Sequence, residues 1–222
     1  MLIAQIIIVC IILLAEAFLA YQYLSHRKEG KGSFGEFWRF LYSPPLLTIV
    51  LIALAFSVMA FLLGKLWQGD SFLRSLMNCQ VMMWLFVIGY IDAREQIIPN
   101  GFIVVGLVFW LVLFFVEIIF AKTFWLGLLR FSLIGAVACG GVLFIIALIV
   151  KTSLGMGDVK LFLVLGLLYG VMDTYGIILF SVLAMGIVSI VLLILKKATA
   201  KTKIPMAPFV IFGFSLSLLA GM

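Results

Sequence analysis

Long apolar runs, separated by short charged clusters, fill almost the whole chain. Cutting the sequence at those clusters leaves eight runs, which lie at 2–24, 44–63, 72–91, 101–121, 124–150, 159–171, 174–195 and 205–221. A helix that crosses the hydrocarbon core of a bilayer, about 30 Å thick, needs about 20 apolar residues. The pattern therefore predicts an all-α, polytopic membrane bundle of about eight transmembrane helices. Because the run 159–171 is short and adjoins the next one, six or seven crossings remain open.

Composition excludes an ordinary soluble domain. Of the 222 residues, 66% are apolar and only 11% are charged, and the mean hydropathy is +1.36. Soluble domains carry roughly 25% charged residues, so this few charges could not cover a surface that faces water on all sides. We expect a single membrane domain over residues 1–222, with no separate soluble domain.

The basic residues predict an orientation in the membrane. The net charge is +6, and with the N-terminus outside, eleven of the fifteen Lys and Arg residues fall in cytoplasmic loops. Such an excess marks the cytoplasmic side and anchors loops near anionic lipid. We therefore predict an outside N-terminus, membrane lipid as a partner of the basic loops, and no nucleic-acid binding. The positive charges follow the first apolar run, which predicts a retained span rather than a cleaved leader.

The cysteine and histidine content argues against a metal site. The three cysteines, Cys10, Cys79 and Cys139, lie far apart inside apolar runs, and His26 is the single histidine of the chain. No CxxC pair and no pair of imidazoles is present. We therefore expect free buried thiols and neither zinc nor another bound metal.

Acidic residues within a membrane are costly and tend to mark function, so their depth matters. Glu29, Glu36 and Asp70 fall in loops, Glu16 lies inside the first run, and Glu117 and Asp173 lie near predicted outer helix ends. For the latter two, a helix-end carboxylate with a nearby partner is the favoured interpretation. Glu16 could equally pair across helices or line a polar cleft.

Two further acids share a side and a depth. Asp92 ends the third run and Asp158 starts the sixth, both at the predicted cytoplasmic edge. Two carboxylates a few ångströms apart cannot both ionise, so one can act as general base on a water while its protonated partner polarises a scissile carbonyl. This favours an aspartyl protease dyad. Taken singly, Asp92 could be a helix-end residue reaching water, and Gly155 and Gly157 could serve a tight turn or helix packing.

Three segments of the chain form a pattern. The first is Asp92 with Pro99 seven positions later, with Gln96 between them and Asn100 following. The second is the stretch 155–161, Gly-Met-Gly-Asp-Val-Lys-Leu, which contains Lys160. The third is Ile-Pro-Met-Ala-Pro-Phe at 204–209. In this order the segments resemble those of the type IV prepilin leader peptidases, membrane aspartyl proteases with a Gly-x-Gly-Asp motif, and the resemblance covers about residues 80–221.

The resemblance implies an activity and a site. Asp92 and Asp158 would be the catalytic pair, supported by residues of the same motifs, namely Gly155, Gly157, Lys160, Pro99 and Gln96. The reaction would be hydrolysis after the glycine that ends the leader of a prepilin or pseudopilin, at the cytoplasmic face of the bacterial inner membrane. Residues 72–222 would form the peptidase core, and residues 1–71 an N-terminal part with a short cytoplasmic loop at 25–43.

The N-terminal third departs from the family pattern. Many members carry two CxxC pairs in the first cytoplasmic loop and also methylate the new pilin N-terminus, but residues 25–43 contain no cysteine. We therefore expect a short form without zinc. Proteolysis would need no cofactor, and S-adenosylmethionine would be needed only if methylation is retained. Glu16 lies in a segment that only weakly matches the corresponding family segment, and it is the candidate residue for methylation.

Two other interpretations stay open at this point. One is an intramembrane protease of the presenilin or signal peptide peptidase kind, whose acids are expected deeper in adjacent spans. The other is a non-catalytic transporter or assembly scaffold that binds an ion or proton between paired carboxylates. The edge position of Asp92 and Asp158 favours the leader peptidase over both. The pilin substrate, the system it serves and the oligomeric state are not indicated.

Overall fold

The computed structural model describes residues 44–120, 124–149, 155–196, 202 and 204–221. Helices are the only regular secondary structure in those ranges. The chain divides into two compact units, residues 1–87 and residues 88–222. Each unit is described separately below, and the second carries the candidate site. The predicted division at 71/72 stays a prediction.

The described part of the first unit is an apolar helix and the start of a second. Helix α1 spans Pro44–Leu62 and widens into a π-helical turn at Leu63–Trp67. Helix α2 begins at Phe72 and ends at Glu95, so it continues into the second unit. The connection is held by polar contacts, in which the Asp70 N–H donates to the Gly64 carbonyl at 2.9 Å and the Asn78 amide donates to the Asp70 carboxylate at 3.4 Å.

The second unit adds five helical segments. Helix α3 spans Asn100–Phe120. Helix α4, Trp125–Gly135, passes through a π-helical stretch at Ala136–Gly141 into α5, Val142–Ile149. The remaining two are α6, Met156–Ile194, and α7, Ala207–Ala220.

Helix α6 is interrupted at Gly170. Its φ of 72° and ψ of −163° lie outside the helical region and in a region that essentially only glycine adopts. The Thr174 hydroxyl donates to the carbonyl of Leu165 at 3.1 Å, although residues nine apart in a continuous helix lie about 13.5 Å apart along its axis. The chain therefore bends sharply at Gly170, and this bend divides α6 into two helical parts, residues 156–169 and 171–194.

The prediction of an all-α membrane bundle is confirmed. Among the described residues, five helices are long and apolar enough to cross a membrane, and Ala207–Ala220 is a shorter apolar helix. The lipid-facing character is clear on 171–194, where Leu183, Ile187, Ile190 and Ile194 follow one face and are all more than half exposed; helical spacing brings such residues into one stripe.

The predicted count of eight spans is not confirmed. The runs 159–171 and 174–195 belong to one helical segment, whose break lies at Gly170 rather than at residues 172–173. A hydropathy pattern marks charges and does not register a backbone break at a glycine inside an apolar run. The first run, 2–24, lies outside the described residues, so the number of crossings stays a prediction.

Candidate active site

Asp92 is held by the N-terminus of another helix. It lies three residues before the end of α2 and is 5% exposed. Its Oδ2 accepts a hydrogen bond from the backbone N–H of Ala207 at 2.9 Å, and the N–H of Met206 donates to the same carboxylate. The first N–H groups of a helix have no partner within it and carry the positive end of the helix dipole. The first turn of α7 therefore supplies the donors that a buried carboxylate requires.

The local sequence explains why α7 begins against α2. Pro208 lies in the first turn of α7, where a proline is tolerated because its missing N–H would have had no partner within the helix. Gly89 of α2 permits the close approach, since a Cβ there would lie 2.7 Å from Cδ1 of Ile211 and 3.6 Å from the backbone N of Pro208. This packing brings the free N–H groups of α7 to the carboxylate of Asp92.

Asp158 is held by its own helix. Gly155 is the N-cap of α6, with φ −73° and ψ 139°, and Asp158 is the third helical residue. The Asp158 carboxylate accepts a hydrogen bond from the Gly155 N–H, which is the geometry of one half of a capping box. A Cβ on Gly155 would lie 3.0 Å from Oδ2 of Asp158. The glycine therefore leaves room for the carboxylate to fold back over the helix start.

The two carboxylates lie within electrostatic range of each other. The negative charge of Asp92 acts directly on the carboxyl group of Asp158, although the two residues are 66 positions apart in the sequence. Both belong to the second unit, and they come from the C-terminal end of α2 and the N-terminal end of α6. The structure therefore brings together the two acids that the sequence singles out.

The loop between α2 and α3 packs against the first turn of α6. Ile98 is buried, and a Cβ on Gly157 would lie 2.9 Å from the Ile98 Cβ. Beside it, Lys160 Nζ donates to Oδ1 of Asn100 at 2.8 Å. Pro99 precedes α3, and its carbonyl accepts the N–H of Phe102 at 3.1 Å. These contacts join the segment that follows Asp92 to the segment that carries Asp158.

Gln96 ends α2 in a left-handed conformation. Its φ is 55°, and its N–H donates to the Asp92 carbonyl at 2.8 Å. A left-handed residue is a common way to end a helix, and glycine or asparagine usually occupies that position. The chain therefore turns immediately after Asp92 and returns through Pro99 into α3.

Of the predicted site residues, seven lie at this end of the unit: Asp92, Gln96, Pro99, Gly155, Gly157, Asp158 and Lys160. Glu16 lies outside the described residues. Sequence reasoning missed the backbone donors Met206 and Ala207 and the role of Ile98 and Asn100 as contacts of α6. The sequence indicates the segment 204–209 only through the resemblance. Its two prolines beside a helix start were the physical signal that free N–H groups lie there.

Metal ligands do not cluster in the ranges that the structure describes: no three side chains of His, Cys, Asp or Glu come together there. The expectation that proteolysis needs neither metal nor cofactor stays a prediction.

A family model described as the type IV leader peptidase family matches residues 79–190, just over half of the 222 residues. The chain belongs to the type IV leader peptidase family. It is therefore a protease of a membrane-bound family, in agreement with its apolar helices. No curated protein and no solved structure matches the chain. The match to the leader peptidase family includes both acids and the loop between α2 and α3, and it ends before α7.

Proposed function

We propose that this protein is an aspartic-type endopeptidase that removes the leader of a type IV prepilin or pseudopilin. The observation that carries the proposal is the meeting of Asp92 and Asp158, each fixed by backbone N–H donors at a helix start. Such anchoring holds both carboxyl groups in place before a substrate arrives. A leader peptidase of a pilus-assembly or protein-secretion system is the reaction class that fits the family and the pair together.

The chemistry follows from one proton shared by two acids. The ionised carboxylate takes a proton from a water as the water oxygen bonds to the scissile carbonyl carbon, and the protonated acid donates its proton to the carbonyl oxygen. The tetrahedral intermediate then collapses, the C–N bond breaks, and the amine leaves with the proton that the first carboxylate took up. The products are a leader that ends in a carboxylate and a pilin with a free amino group.

The site's place at helix ends suits a substrate that is half in the membrane. Asp92 lies in the last turn of α2 and Asp158 in the first turn of α6, so both belong at the same bilayer edge. In the predicted orientation that edge is cytoplasmic, at the bacterial inner membrane. The leader would then lie in the cytoplasm and the following apolar helix of the pilin in the bilayer, with the scissile bond between them.

N-methylation of the new pilin N-terminus is a separate expectation of the family. It would need S-adenosylmethionine, and its side candidate Glu16 lies outside the described residues. The first loop, 25–43, has no cysteine, so zinc is not part of the proposal. Mass measurement of the mature pilin separates the two activities, because methylation adds the mass of one methyl group to the cleaved product.

The experiment is cleavage of a prepilin by membranes that contain the full-length protein, followed by mass spectrometry of both products. The proposal expects cleavage after the leader glycine, its loss in Asp92→Asn and in Asp158→Asn, and its retention in Asp173→Asn, a matched carboxylate further along α6. Cleavage that survives either of the first two changes contradicts the dyad. Cleavage inside an apolar span instead would favour the intramembrane protease, and no cleavage of any prepilin would favour a scaffold.

A further inference from the structure

The two halves of the proposed dyad are anchored independently of each other. Asp92 is held from α7 through Ala207, and Asp158 is held within α6 through Gly155. Neither anchor fixes the distance between the carboxylates. That distance depends on the packing of α7 against α6, where the ring centroids of Phe214 and Tyr169 lie 5.5 Å apart, and on what joins the segment after Asp92 to the first turns of α6.

Two contacts make this connection, and they lie on one face of α6. Gly157 and Lys160 are three positions apart, a spacing that brings residues to the same side of a helix. Gly157 packs on Ile98, and Lys160 donates to Asn100 at 2.8 Å. Ile98 and Asn100 are two positions apart in the segment that leads into α3. We call these four residues the 98–100 clamp.

The two contacts restrict different movements. The Gly157–Ile98 packing allows the helix and the loop to approach closely, because a Cβ at position 157 would lie only 2.9 Å from the Ile98 Cβ. Apolar packing alone is not directional, so it does not prevent sliding along the loop. The hydrogen bond from a charged ammonium to the Asn100 amide oxygen is directional and stronger than a neutral one. Both side chains are exposed, and the bond between them favours one register of α6 against the loop.

We infer that Lys160 is a positioning residue that acts through Asn100 to set the separation of Asp92 and Asp158. The inference rests on the proposed function. An alternative role for Lys160 is an anchor that reaches lipid headgroups, and this role would not involve Asn100. A third is direct contact with the substrate. The three roles predict different behaviour when both residues are changed together.

The test is a double-mutant cycle in the full-length protein with a prepilin substrate, using Lys160→Met, Asn100→Ala and the double variant. Each single change is expected to lower kcat about tenfold with KM within about twofold, because small displacements of catalytic groups cost rate rather than binding. The double variant is expected to be no slower than either single one, since both remove the same contact. Asn100→Asp, which keeps an acceptor for the ammonium, is expected to restore most of kcat.

Lys196→Met is the matched control, since it removes one positive charge on the same predicted side and lies outside the clamp. It is expected to keep the wild-type kcat. A wild-type kcat in Asn100→Ala together with a lowered kcat in Lys160→Met overturns the inference. A double variant in which the two fold-losses of kcat multiply also overturns it. A slow Lys196→Met would equally overturn it, in favour of general anchoring to lipid.

A second readout does not depend on cleavage. Thermal unfolding in detergent is expected to show the same pattern: each single variant lowers Tm by about 2–4 °C, and the double variant lowers it no further. Additive Tm losses contradict the clamp even if no prepilin is cleaved. Failure of the wild-type protein to cleave, with a non-additive Tm cycle, would reject the proposed function and leave the Lys160–Asn100 coupling standing.

Discussion

The backbone N–H of Ala207 donates a hydrogen bond of 2.9 Å to the carboxylate of Asp92, a residue 115 positions earlier in the chain. The contact joins the last turn of α2 to the first turn of α7. Free N–H groups at a helix start are well suited to hold a carboxylate. The last helix of the chain therefore takes part in the site, even though the family match at 79–190 ends before it.

Gly157 is predicted to tolerate substitution poorly. A Cβ in Gly157→Ala would lie 2.9 Å from the Ile98 Cβ, and overpacking of this kind costs about 1–3 kcal/mol. We expect a lower Tm and slower cleavage. Gly101→Ala is the control, because a Cβ there meets nothing within 4 Å. Equal behaviour of the two variants would show that the approach at Gly157 is not tight.

The Gln96→Gly variant is predicted to be more stable than the Gln96→Ala variant. Its φ of 55° costs an L-residue roughly 1–2 kcal/mol, whereas glycine adopts it freely. Both Gln96→Gly and Gln96→Ala remove the side chain, so the comparison isolates the backbone. Thermal unfolding in detergent is expected to give the glycine variant the higher Tm, by about 2–4 °C. A higher Tm for the alanine variant would contradict a left-handed residue at this helix end.

Gly170 is predicted to be needed for folding of the second unit. Its φ of 72° and ψ of −163° lie where other residues cost about 1–3 kcal/mol, and the ring of Phe131 occupies the place of a Cβ. We expect Gly170→Ala to lower both the yield of folded protein and its Tm. Gly186→Ala, on the same helix with open space around it, is expected to resemble wild type. A normal Gly170→Ala would argue for an unbroken α6.

Cysteine labelling tests the predicted orientation. In a variant whose native cysteines are replaced, Ile97→Cys is expected to react with a membrane-impermeant reagent from the cytoplasmic side, and Met172→Cys from the opposite side. Both native side chains are more than half exposed, so neither position is buried inside the protein. Reversed labelling would place the dyad outside and contradict cleavage of a cytoplasmic leader.

Much of the candidate site could be predicted from the sequence because the chain has few charged residues. In a chain with nine acidic residues, Asp92 and Asp158 stand out because each lies at the same predicted edge within a motif of the resemblance, and the structure brings them together. The all-α membrane class follows equally directly from apolar runs of spanning length. Both predictions depend on residue chemistry, which the sequence displays.

Backbone geometry accounts for most of what the sequence did not indicate. The donors to Asp92 are N–H groups of Met206 and Ala207, and any residue except proline offers the same group. The break at Gly170 lies inside an apolar run and leaves no mark on hydropathy. The Lys160–Asn100 contact spans 60 positions, so neither residue's partner could be named before the helices were assembled.

The central claim is that Asp92 and Asp158 work as one catalytic unit. Single-turnover cleavage of a prepilin tests this claim most directly. The proteins to compare are the wild type, Asp92→Asn, Asp158→Asn and the double variant. Each single change is expected to lower the rate at least about a hundredfold. The double variant is expected to match the slower single one, because groups that act together are not additive. A single variant that keeps more than about a tenth of the wild-type rate, or a double variant in which the losses multiply, would contradict the claim.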